Sequence, residues 1–402
     1  MDINIQTKLE ASRQIAAEWA ALANAAPSVE CFRTATWFQA WLSAFGMHAN
    51  SYVITVRRQG ALIGVLPLVE HLNLRRPWYS MHHVHRDDLA FLRPSSRRGC
   101  LVPMRQLSFA ANLEASSMRG GVLARPGEER QVNCALARHA ASRSDWDLML
   151  LSAVADDQAS NLAAGLRDAG LRVHVEPSAL TLYGAQPLPW EEYTKNRSGR
   201  FRRRMRNWES RLSRAGAVSF HVETEPVNLH AALAELHELG LRSWKQQPRD
   251  GQSWHLPLTE RTRLFDQALI SHSDANTSVL IAQLRLDGRL VCGLLALLTG
   301  KRLTSLRQFY DPELGQDSPG QVMWRELIDW SAARGLGWID TNGNSEFARR
   351  FATVPERYSQ VWAFRKRGYS ALLAGLFETS SRLTKRIKKH EAAIPLEPEV
   401  DA

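Results

Sequence analysis

The segment VLIAQLRLDGRLVCGLLALL, residues 279–298, has two apolar stretches around a polar turn that closes on Gly288. This pattern predicts two antiparallel strands joined as a hairpin. A similar segment, YVITVRRQGALIGVLPLVE, occupies residues 52–70 and turns at Gln59-Gly60. Each hairpin is followed by a predicted helix and then by a strand in DWDLMLL or GWIDTNG. The two occurrences indicate a diverged duplication of one α/β unit, with mixed sheets.

The size and composition of the chain agree with two folded units. At 402 residues it can bury two cores, and its 44% hydrophobic and 23% charged residues are ordinary globular values. The net charge is +10, from 51 Lys and Arg against 41 Asp and Glu, which favours anionic partners.

The cysteines and the N-terminal sequence favour a cytoplasmic protein. Cys31, Cys100, Cys134 and Cys292 are far apart and form no CxxC pair, which is typical of a reducing compartment. The first residues, MDINIQTKLEASRQ, contain too many charges for a signal peptide. No window reaches the ~18 apolar residues of a membrane span.

Proline residues in EPSALTLYGAQPLPWEEYTKN, residues 176–196, predict a joint between the two halves. We therefore expect one domain over residues 1–178 and a second over residues 190–367. Residues 368–402 form a C-terminal helix and tail. In the second half the predicted order is a basic helix, a strand, two helices, a three-strand meander, a helix and two further strands.

The basic helix, SGRFRRRMRNWESRLSRAG, carries seven arginines between Arg200 and Arg214, with Glu209 as its single acid. At 100° per residue, its apolar side chains form one stripe that must be buried. Arginine flanks this stripe. Three interpretations remain open: a solvated basic face, a site for phosphate or pyrophosphate, and a nucleic-acid surface. No helix-turn-helix, zinc finger or RNA-binding aromatic motif surrounds the helix, which argues against sequence-specific DNA binding.

The order of these features resembles the FemAB-like, CelD-type acyltransferases of the GNAT superfamily. The similar features of the second half are LRLDGRLVCGLLAL, YDPE, the Pro319-Gly320 helix start and GWIDTNGN. TATWFQAW and GVLPL of the first half resemble the opening of the same family. The resemblance covers roughly residues 30–365.

The resemblance implies two tandem GNAT-like units in a FemAB-like architecture, and transfer of an acyl group to an amine or hydroxyl. Relatives are bacterial proteins associated with exopolysaccharide, cellulose or cell-wall precursor pathways. The implied donor is acyl-CoA, with acetyl-CoA first, and the acceptor is a sugar, a polysaccharide precursor or an amino-acid-like molecule. An aminoacyl-tRNA-dependent transferase of the Fem type is a second hypothesis. A non-catalytic scaffold in envelope polysaccharide assembly is a third.

The donor is expected to bind where a helix begins near Pro319. Free N–H groups and the helix dipole at such a start favour a pyrophosphate, and a glycine lets the ligand approach the backbone. An ordinary capped helix, with a serine as its N-cap, is the alternative. The residues predicted to bind the donor are Ser318, Gly320, Gln321, Arg200, Arg203 and Arg204.

Acyl transfer also needs an acid, a base and donors for an oxyanion. Tyr310 ends one strand and could protonate a thiolate, as tyrosines do in many GNAT enzymes. Asp340 lies on the next strand and could orient or deprotonate the acceptor. Asn342 and Asn344 are turn formers and candidate oxyanion donors.

Further candidates for substrate contact are Trp244, beside a polar loop, and His83 and Asp88 in HHVHRDD. The spacing of that cluster matches no standard zinc site, so no metal is expected.

Where relatives often have Tyr-Lys, this chain has Phe347-Ala348. One interpretation is that an arginine one or two positions later, Arg349 or Arg350, keeps the charge of that lysine. The other is that the site has changed its substrate or lost activity.

The C-terminal segment YSALLAGLFETSSRLTKRIKKHEAA predicts an amphipathic helix that ends in a basic cluster. Packing on the first domain is one interpretation. A peripheral contact with the inner face of the membrane is the other, since basic amphipathic helices favour anionic lipid.

Overall fold

A computed structural model describes residues 2–7, 14–26, 29–46, 50–75, 102–112, 114–117, 119–243, 258–343 and 345–391. These residues form one 13-stranded mixed sheet with helices on both faces.

The first unit begins with a strand and two helices, continues with a meander, and ends in alternating helices and strands. Its elements are β1 (Asp2–Thr7), α1 (Ala16–Ala25), α2 (Ala35–Phe45), β2 (Asn50–Arg58), β3 (Ala61–Arg75), β4 (Val102–Ser108), β5 (Leu123–Ala124), α3 (Glu129–Ser142), β6 (Leu148–Ala155), α4 (Asp156–Asp168) and β7 (Arg172–Ala185).

The second unit repeats this order, apart from β5 in the first unit and extra helices at both ends of the second. Its elements are α5 (Trp190–Lys195), α6 (Gly199–Ala215), β8 (Val218–Glu223), α7 (Pro226–Arg242), α8 (Glu260–Ser271), β9 (Thr277–Leu286), β10 (Arg289–Thr299), β11 (Arg302–Tyr310), α9 (Pro319–Ala333), β12 (Trp338–Asp340), α10 (Glu346–Phe351), β13 (Val354–Phe364) and α11 (Gly368–Glu391). The repeated order confirms the predicted mixed α/β fold of two tandem units.

The two units exchange their last strands. The sheet runs β1-β2-β3-β4-β6-β13-β7-β12-β11-β10-β9-β8, with β5 paired to β3 off this path. The last strand of the second unit, β13, pairs with β6 of the first, and β7 of the first unit pairs with β12 of the second. β13 and β7 also pair with each other along most of their length, so the exchange holds the units together.

Helices cover both faces of the sheet because its strands carry apolar side chains on both. Along β9, Val279 and Ile281 pack into the core with α1, α2, α7 and α8, whereas Leu280 and Ala282 pack with α6 and α9. Successive strand residues point to opposite faces, which separates these two cores. The first core is shared by both units. There α2 packs on its counterpart α8, and the ring centroids of Trp37 and Phe265 lie 5.1 Å apart.

Both predicted hairpins are present, with the same turn. Gln59 and Gly60 have φ of 51° and 81°, and Asp287 and Gly288 have φ of 50° and 80°. Two successive positive φ values are typical of the type I′ turns that suit the twist of a hairpin.

The predicted joint at residues 176–196 is wrong in its first part, where β7 continues to Ala185. Pro177 lies opposite Ser359 beside an irregularity in the pairing of β7 with β13. A proline has no N–H to donate, and such an irregularity accommodates it within a paired strand. The predicted domain limits, 1–178 and 190–367, remain a prediction.

The C-terminal helix α11 packs on the sheet at the first unit. Leu373, Ala374 and Phe377 are buried against Met104, Leu148 and Trp362 among others. Within the described helices, none has both the length and the apolar character needed to cross a bilayer.

Candidate functional site

The sheet has an open strand edge in the second unit. β11 and β12 are parallel and pair only where Arg302–Thr304 meets Trp338–Asp340. Beyond that point Ser305–Tyr310 still pairs with β10, but no described strand pairs with its other edge. The chain after β12 turns instead towards β7, where the Thr341 N–H donates to the Tyr183 carbonyl over 3.1 Å. The two strands therefore diverge, and the edge of Ser305–Tyr310 turned away from β10 faces no described strand, which is a geometry that an extended ligand can use.

The start of α9 lies beside this edge. Ser318 is the N-cap residue and has a left-handed backbone, with φ 52° and ψ 53°. A Cβ at Gly320 would lie 2.6 Å from Gln308 Nε2 of β11, so a side chain there would displace the strand's own side chain. Gln321 is buried, and its Oε1 has no partner among the described residues. Pro319 has no N–H, and the Gln321 N–H donates to the Ser318 carbonyl over 2.9 Å. This helix start therefore combines the positive end of the helix dipole, a close backbone approach and an unsatisfied buried acceptor.

The arginine-rich helix α6 packs on α9 through its apolar stripe, as predicted, with Met205 and Leu212 buried. Its single acid, Glu209, turns inward to Arg325 of α9, with a nitrogen–oxygen distance of 3.4 Å. The predicted Arg200, Arg203 and Arg204 are all exposed. The outer surface of α6 is consequently basic with no acid of its own to neutralise it.

Helical spacing places Arg204 on the same side of α6 as Trp208, whereas Arg203 points away from that side. The guanidinium of Arg350 on α10 lies 5.7 Å from the ring of Trp208. Phe347 of the same short helix lies near the start of α9, because a Cβ at Gly320 would be 3.8 Å from its Cε2. Of the predicted arginines, Arg204 therefore lies on the side of α6 that carries Trp208 and faces Arg350, and its predicted contact with a ligand remains a prediction.

Asp340, at the end of β12, is completely buried between two arginines. Arg119 Nη1 donates to its Oδ2 over 2.6 Å, and Arg302 Nη2 donates to the same oxygen over 2.7 Å. Burial alone would raise the pKa of Asp340, but the two guanidinium groups outweigh burial and lower that pKa to about 2. Asp340 is therefore ionised at neutral pH and suited to orienting its neighbours.

We call the surrounding set the central cluster. It joins residues of both units on the face of the sheet that α2 and α8 cover. Arg119 is fully buried and also donates to Glu30 and to the Tyr358 hydroxyl, over 2.9 and 3.0 Å. Arg302 Nη2 also donates to Glu356 over 2.7 Å. The members of the central cluster are Glu30, Arg119, Arg302, Asp340, Glu356 and Tyr358.

Asn342 is held in a left-handed conformation, φ 48°, by three contacts. Its N–H donates to Asp340 Oδ1, its Oδ1 accepts from Arg119, and its Nδ2 donates to the Ser116 carbonyl over 2.6 Å. All of these groups are satisfied within the protein. The geometry favours a positioning role for Asn342, whose predicted contact with substrate remains a prediction.

A second buried chain of polar contacts ties β11 to both units. Asp266 of α8 accepts from Arg307 Nε and lies 3.0 Å from His237 Nε2. Arg307 also donates to the Ser116 hydroxyl and the Glu114 carbonyl, over 2.7 and 2.6 Å. The segment from Glu114 to Arg119 of the first unit is thus fixed beside the open edge of the second.

The structure places the predicted residues in two groups beside the open edge. Ser318, Gly320 and Gln321 share the start of α9, and Tyr310 ends β11, partly buried in the core with α6 and α9. Asp340 and Asn342 form the second group. The predicted Trp244, His83, Asp88 and Asn344 lie outside the described residues.

Most of the central cluster was not predicted. Isolated charged residues such as Glu30 and Arg302 have the sequence pattern of solvent-exposed positions, and their partners lie up to hundreds of positions away. The one local signal is GWID, which places an acid at the end of a buried strand.

Comparisons with known proteins agree with this geometry. Residues 199–368 match the family model of the acetyltransferase (GNAT) domain. No curated protein matches the sequence significantly. FemX has a similar structure, with a TM-score of 0.54 and 12% identity over 92% of this chain and 98% of that chain. A conserved protein of unknown function from Bacteroides thetaiotaomicron VPI-5482 is similar at a TM-score of 0.50 and 9% identity, over 90% and 100% of the two chains. These structures share the fold, which confirms the FemAB-like architecture.

Proposed function

From an acetyltransferase (GNAT) domain over residues 199–368 within a FemX-like fold, we propose that the protein transfers an acyl group from acyl-CoA to an amine or hydroxyl. Acetyl-CoA is the proposed donor. A sugar, polysaccharide precursor or amino-acid-like molecule is the proposed acceptor, in line with the resemblance to CelD-type proteins. The observation that carries the proposal is the open edge of β11 beside the uncharged start of α9.

Each part of acyl-CoA has a matching feature. The positive end of the α9 dipole favours the pyrophosphate, and Arg204 and Arg350 supply positive charge on that side. The amide-containing arm of the donor suits the edge of Ser305–Tyr310 that faces no described strand. This arrangement would bring the thioester to the point where β11 and β12 diverge.

Acyl transfer at that point requires an acid that protonates the leaving thiolate and residues that orient the acceptor. Tyr310, the acid expected from the sequence, ends β11 six residues beyond Thr304, about 20 Å along the strand, so its protonation of the departing thiolate remains a prediction. Asp340 is assigned an orienting role, because its two arginines keep it ionised and enclosed. It would hold Arg119 and Asn342, and through them the loop from the first unit.

The experiment that tests the function measures thermal unfolding of the purified protein with CoA, acetyl-CoA, longer acyl-CoAs and total tRNA in turn. A ligand at about 100 times its Kd should stabilise the fold by roughly 2.7 kcal/mol. We expect the wild type to respond to an acyl-CoA.

The variant Gly320→Val should lose this response, because its side chain would meet Gln308 where the donor enters. We expect binding of the acyl-CoA to weaken by about 100-fold, from ~2.7 kcal/mol of lost interaction. Gly315→Val is the matched control, since a Cβ at Gly315 meets nothing within 4 Å. No response of the wild type to any CoA compound would refute the proposed donor.

A second candidate, an aminoacyl-tRNA-dependent transferase, is favoured by one observation. The exposed arginines of α6 form a basic surface broad enough for several phosphates. A response to tRNA alone, weakening steeply with salt, would support this candidate over acyl-CoA.

We also propose a peripheral contact with an anionic membrane surface through α11. Tyr369, Leu372 and Leu376 lie along one stripe of this helix and are 39%, 60% and 38% exposed, while the opposite face packs on the sheet. Such a contact suits a lipid-linked acceptor. Sedimentation with anionic and with neutral vesicles tests it.

A further inference from the structure

Among the three carboxyl groups of the central cluster, one reaches solvent. The side chain of Asp340 is 0% exposed and that of Glu30 is 8% exposed, whereas that of Glu356 is 23% exposed. The two buried groups are enclosed by arginines. Glu356 is the only one of the three that an incoming molecule could touch.

Glu356 is also oriented. Its Oε2 accepts a hydrogen bond from Arg302 Nη2 over 2.7 Å, and that nitrogen also binds Asp340. Its Oε1 makes no hydrogen bond or ion pair within the described part of the chain. One oxygen is thus anchored, and the other is available to a ligand.

The strand register places Glu356 level with the point where β11 and β12 diverge. β12 and β13 both run antiparallel to β7, so they are parallel to each other. Gly184 of β7 pairs with Asp340 on one side and Val354 on the other. Glu356 is two residues further along β13, level with the chain just after β12 ends. That is the direction in which β11 and β12 diverge.

On the basis of the transferase function proposed above, we propose that Glu356 is the catalytic base that accepts the proton of the acceptor. In this step the N–H or O–H bond of the acceptor breaks and its proton moves to Oε1 of Glu356. The freed electron pair forms a bond to the thioester carbon. The carbon–sulfur bond then breaks, and the departing thiolate takes a proton from water.

The electrostatics of the site support this assignment. Burial and then the negative charge of Asp340 raise the pKa of Glu356, and Glu30 adds to this, while Arg302 opposes it. A carboxyl group with a raised pKa takes up a proton more readily than an ordinary one. Asp340, whose pKa is lowered to about 2, could not accept a proton at neutral pH.

The pH dependence has a definite direction. Glu356 must be ionised to accept a proton, so the transfer rate should rise with pH through its raised pKa and then level off. Replacing Glu356 by Gln should remove this acid limb, because an amide does not titrate in the range.

The first measurement concerns the group itself. A water-soluble carbodiimide with an amine nucleophile labels accessible carboxyl groups, and mass spectrometry locates the label. We expect Glu356 to be labelled in the native protein well before Glu30 and Asp340. If Glu356 is labelled no faster than these two, the assignment is wrong.

The second measurement compares wild type, Glu356→Gln, Glu356→Asp and Glu225→Gln. Glu225, at the N-cap of α7, is exposed and lies outside the proposed site, which makes it a matched control for loss of one charge. Calorimetry gives acetyl-CoA binding. Release of the CoA thiol gives turnover, with D-glucosamine as acceptor probe and with water alone.

We expect E356Q to bind acetyl-CoA like the wild type and to lose about 100-fold or more of the thiol-release rate, together with the acid limb. E356D should recover part of the rate, and E225Q should keep all of it. A wild-type rate and an unchanged pH profile in E356Q would overturn the assignment. Absence of acetyl-CoA binding in the wild type would instead count against the proposed donor. The carbodiimide labelling would then still test the assignment of Glu356, because it does not depend on acetyl-CoA.

Discussion

The two units of this protein share a hairpin but differ in the strands that come after it. Their turns have matching backbone angles, and in each the pairing shifts at the third residue after the glycine of the turn, Ile63 in one and Val291 in the other. In the second unit β11 continues past its pairing with β12 as an open edge. In the first unit β4 ends at Ser108, where it pairs with β6.

The short strand β5 accounts for much of this difference. It pairs with Gly64 and Val65 of β3. The corresponding positions of β10, counted from the turn, are Cys292 and Gly293, which pair with the end of β11. Between β4 and β5 the first unit sends its chain across to the second unit, where Arg119 enters the central cluster. Among the described strands, the first unit thus has no equivalent of the open edge of β11. Its chain instead contributes Arg119, which stabilises the end of β12 in the second unit.

The helix starts differ in charge as well. The N-cap residue of α3 is Glu128, followed by Glu129, whose carboxylate accepts from the Gly127 N–H over 3.1 Å. The N-cap of α9 is Ser318, and its first turn has no acid. Since carboxylates already occupy the positive end of α3, an anionic ligand is favoured only at α9. We therefore expect one donor site per chain.

The largest expected contrast is between two aspartates near the central strands. Asp340→Asn removes the partner of two buried arginines, and we expect the free energy of unfolding to fall by about 3–5 kcal/mol. Asp145 of the first unit pairs with Arg143 and its own side chain is 48% exposed, so Asp145→Asn should cost about 1 kcal/mol or less. Denaturant unfolding of both variants measures the difference. Equal losses of unfolding free energy would show that Asp340 stabilises the fold no more than an exposed aspartate does.

A smaller effect is expected in acid. The folded-state pKa of Asp340 is about 2, below the ordinary 3.8, so its ion pairs contribute stability that is fully present above pH 4. This contribution should be lost as the pH falls from about 4 towards 2, and it amounts to roughly 2 kcal/mol. Unfolding free energies of wild type and D340N across this window should converge. A constant gap between them would mean that Asp340 keeps an ordinary pKa.

The smallest effect concerns the helix starts. Ser318→Asp gives α9 an acidic N-cap like that of α3, and an acid can adopt the left-handed backbone found there. We expect acetyl-CoA binding to weaken about fivefold, from ~1 kcal/mol of repulsion near the helix start. Ser318→Asn keeps the shape without the charge and serves as the control. Glu128→Ser in α3 should leave binding unchanged.

The sequence predicted the features that depend on near neighbours. The hairpins follow from apolar alternation and a closing glycine, and α6 from its stripe of Phe201, Met205, Trp208 and Leu212. The start of α9 follows from Pro319 and Gly320. In each case the residues that cause the structure lie within one element, so their spacing is visible in the chain.

The features that depend on distant neighbours were not predictable in this way. The prolines around Pro177 predict a joint, but this segment forms strand β7. It does so because it pairs with β13, a segment far along the chain. Arg119 has the sequence pattern of a surface residue, and its burial is explained only by Glu30 and Asp340, on either side of it in sequence. Such charges are stable inside only when all partners are present.

The exchange of β7 and β13 also has a consequence for biosynthesis. When the ribosome has completed the first unit, β6 is paired with β4 on one edge but still lacks β13 on the other, because Val354–Phe364 is made only after most of the second unit. The nascent first unit therefore keeps an uncovered β6 edge until β13 has been translated. For the same reason, a gene fragment that encodes either half alone would specify an unfinished sheet.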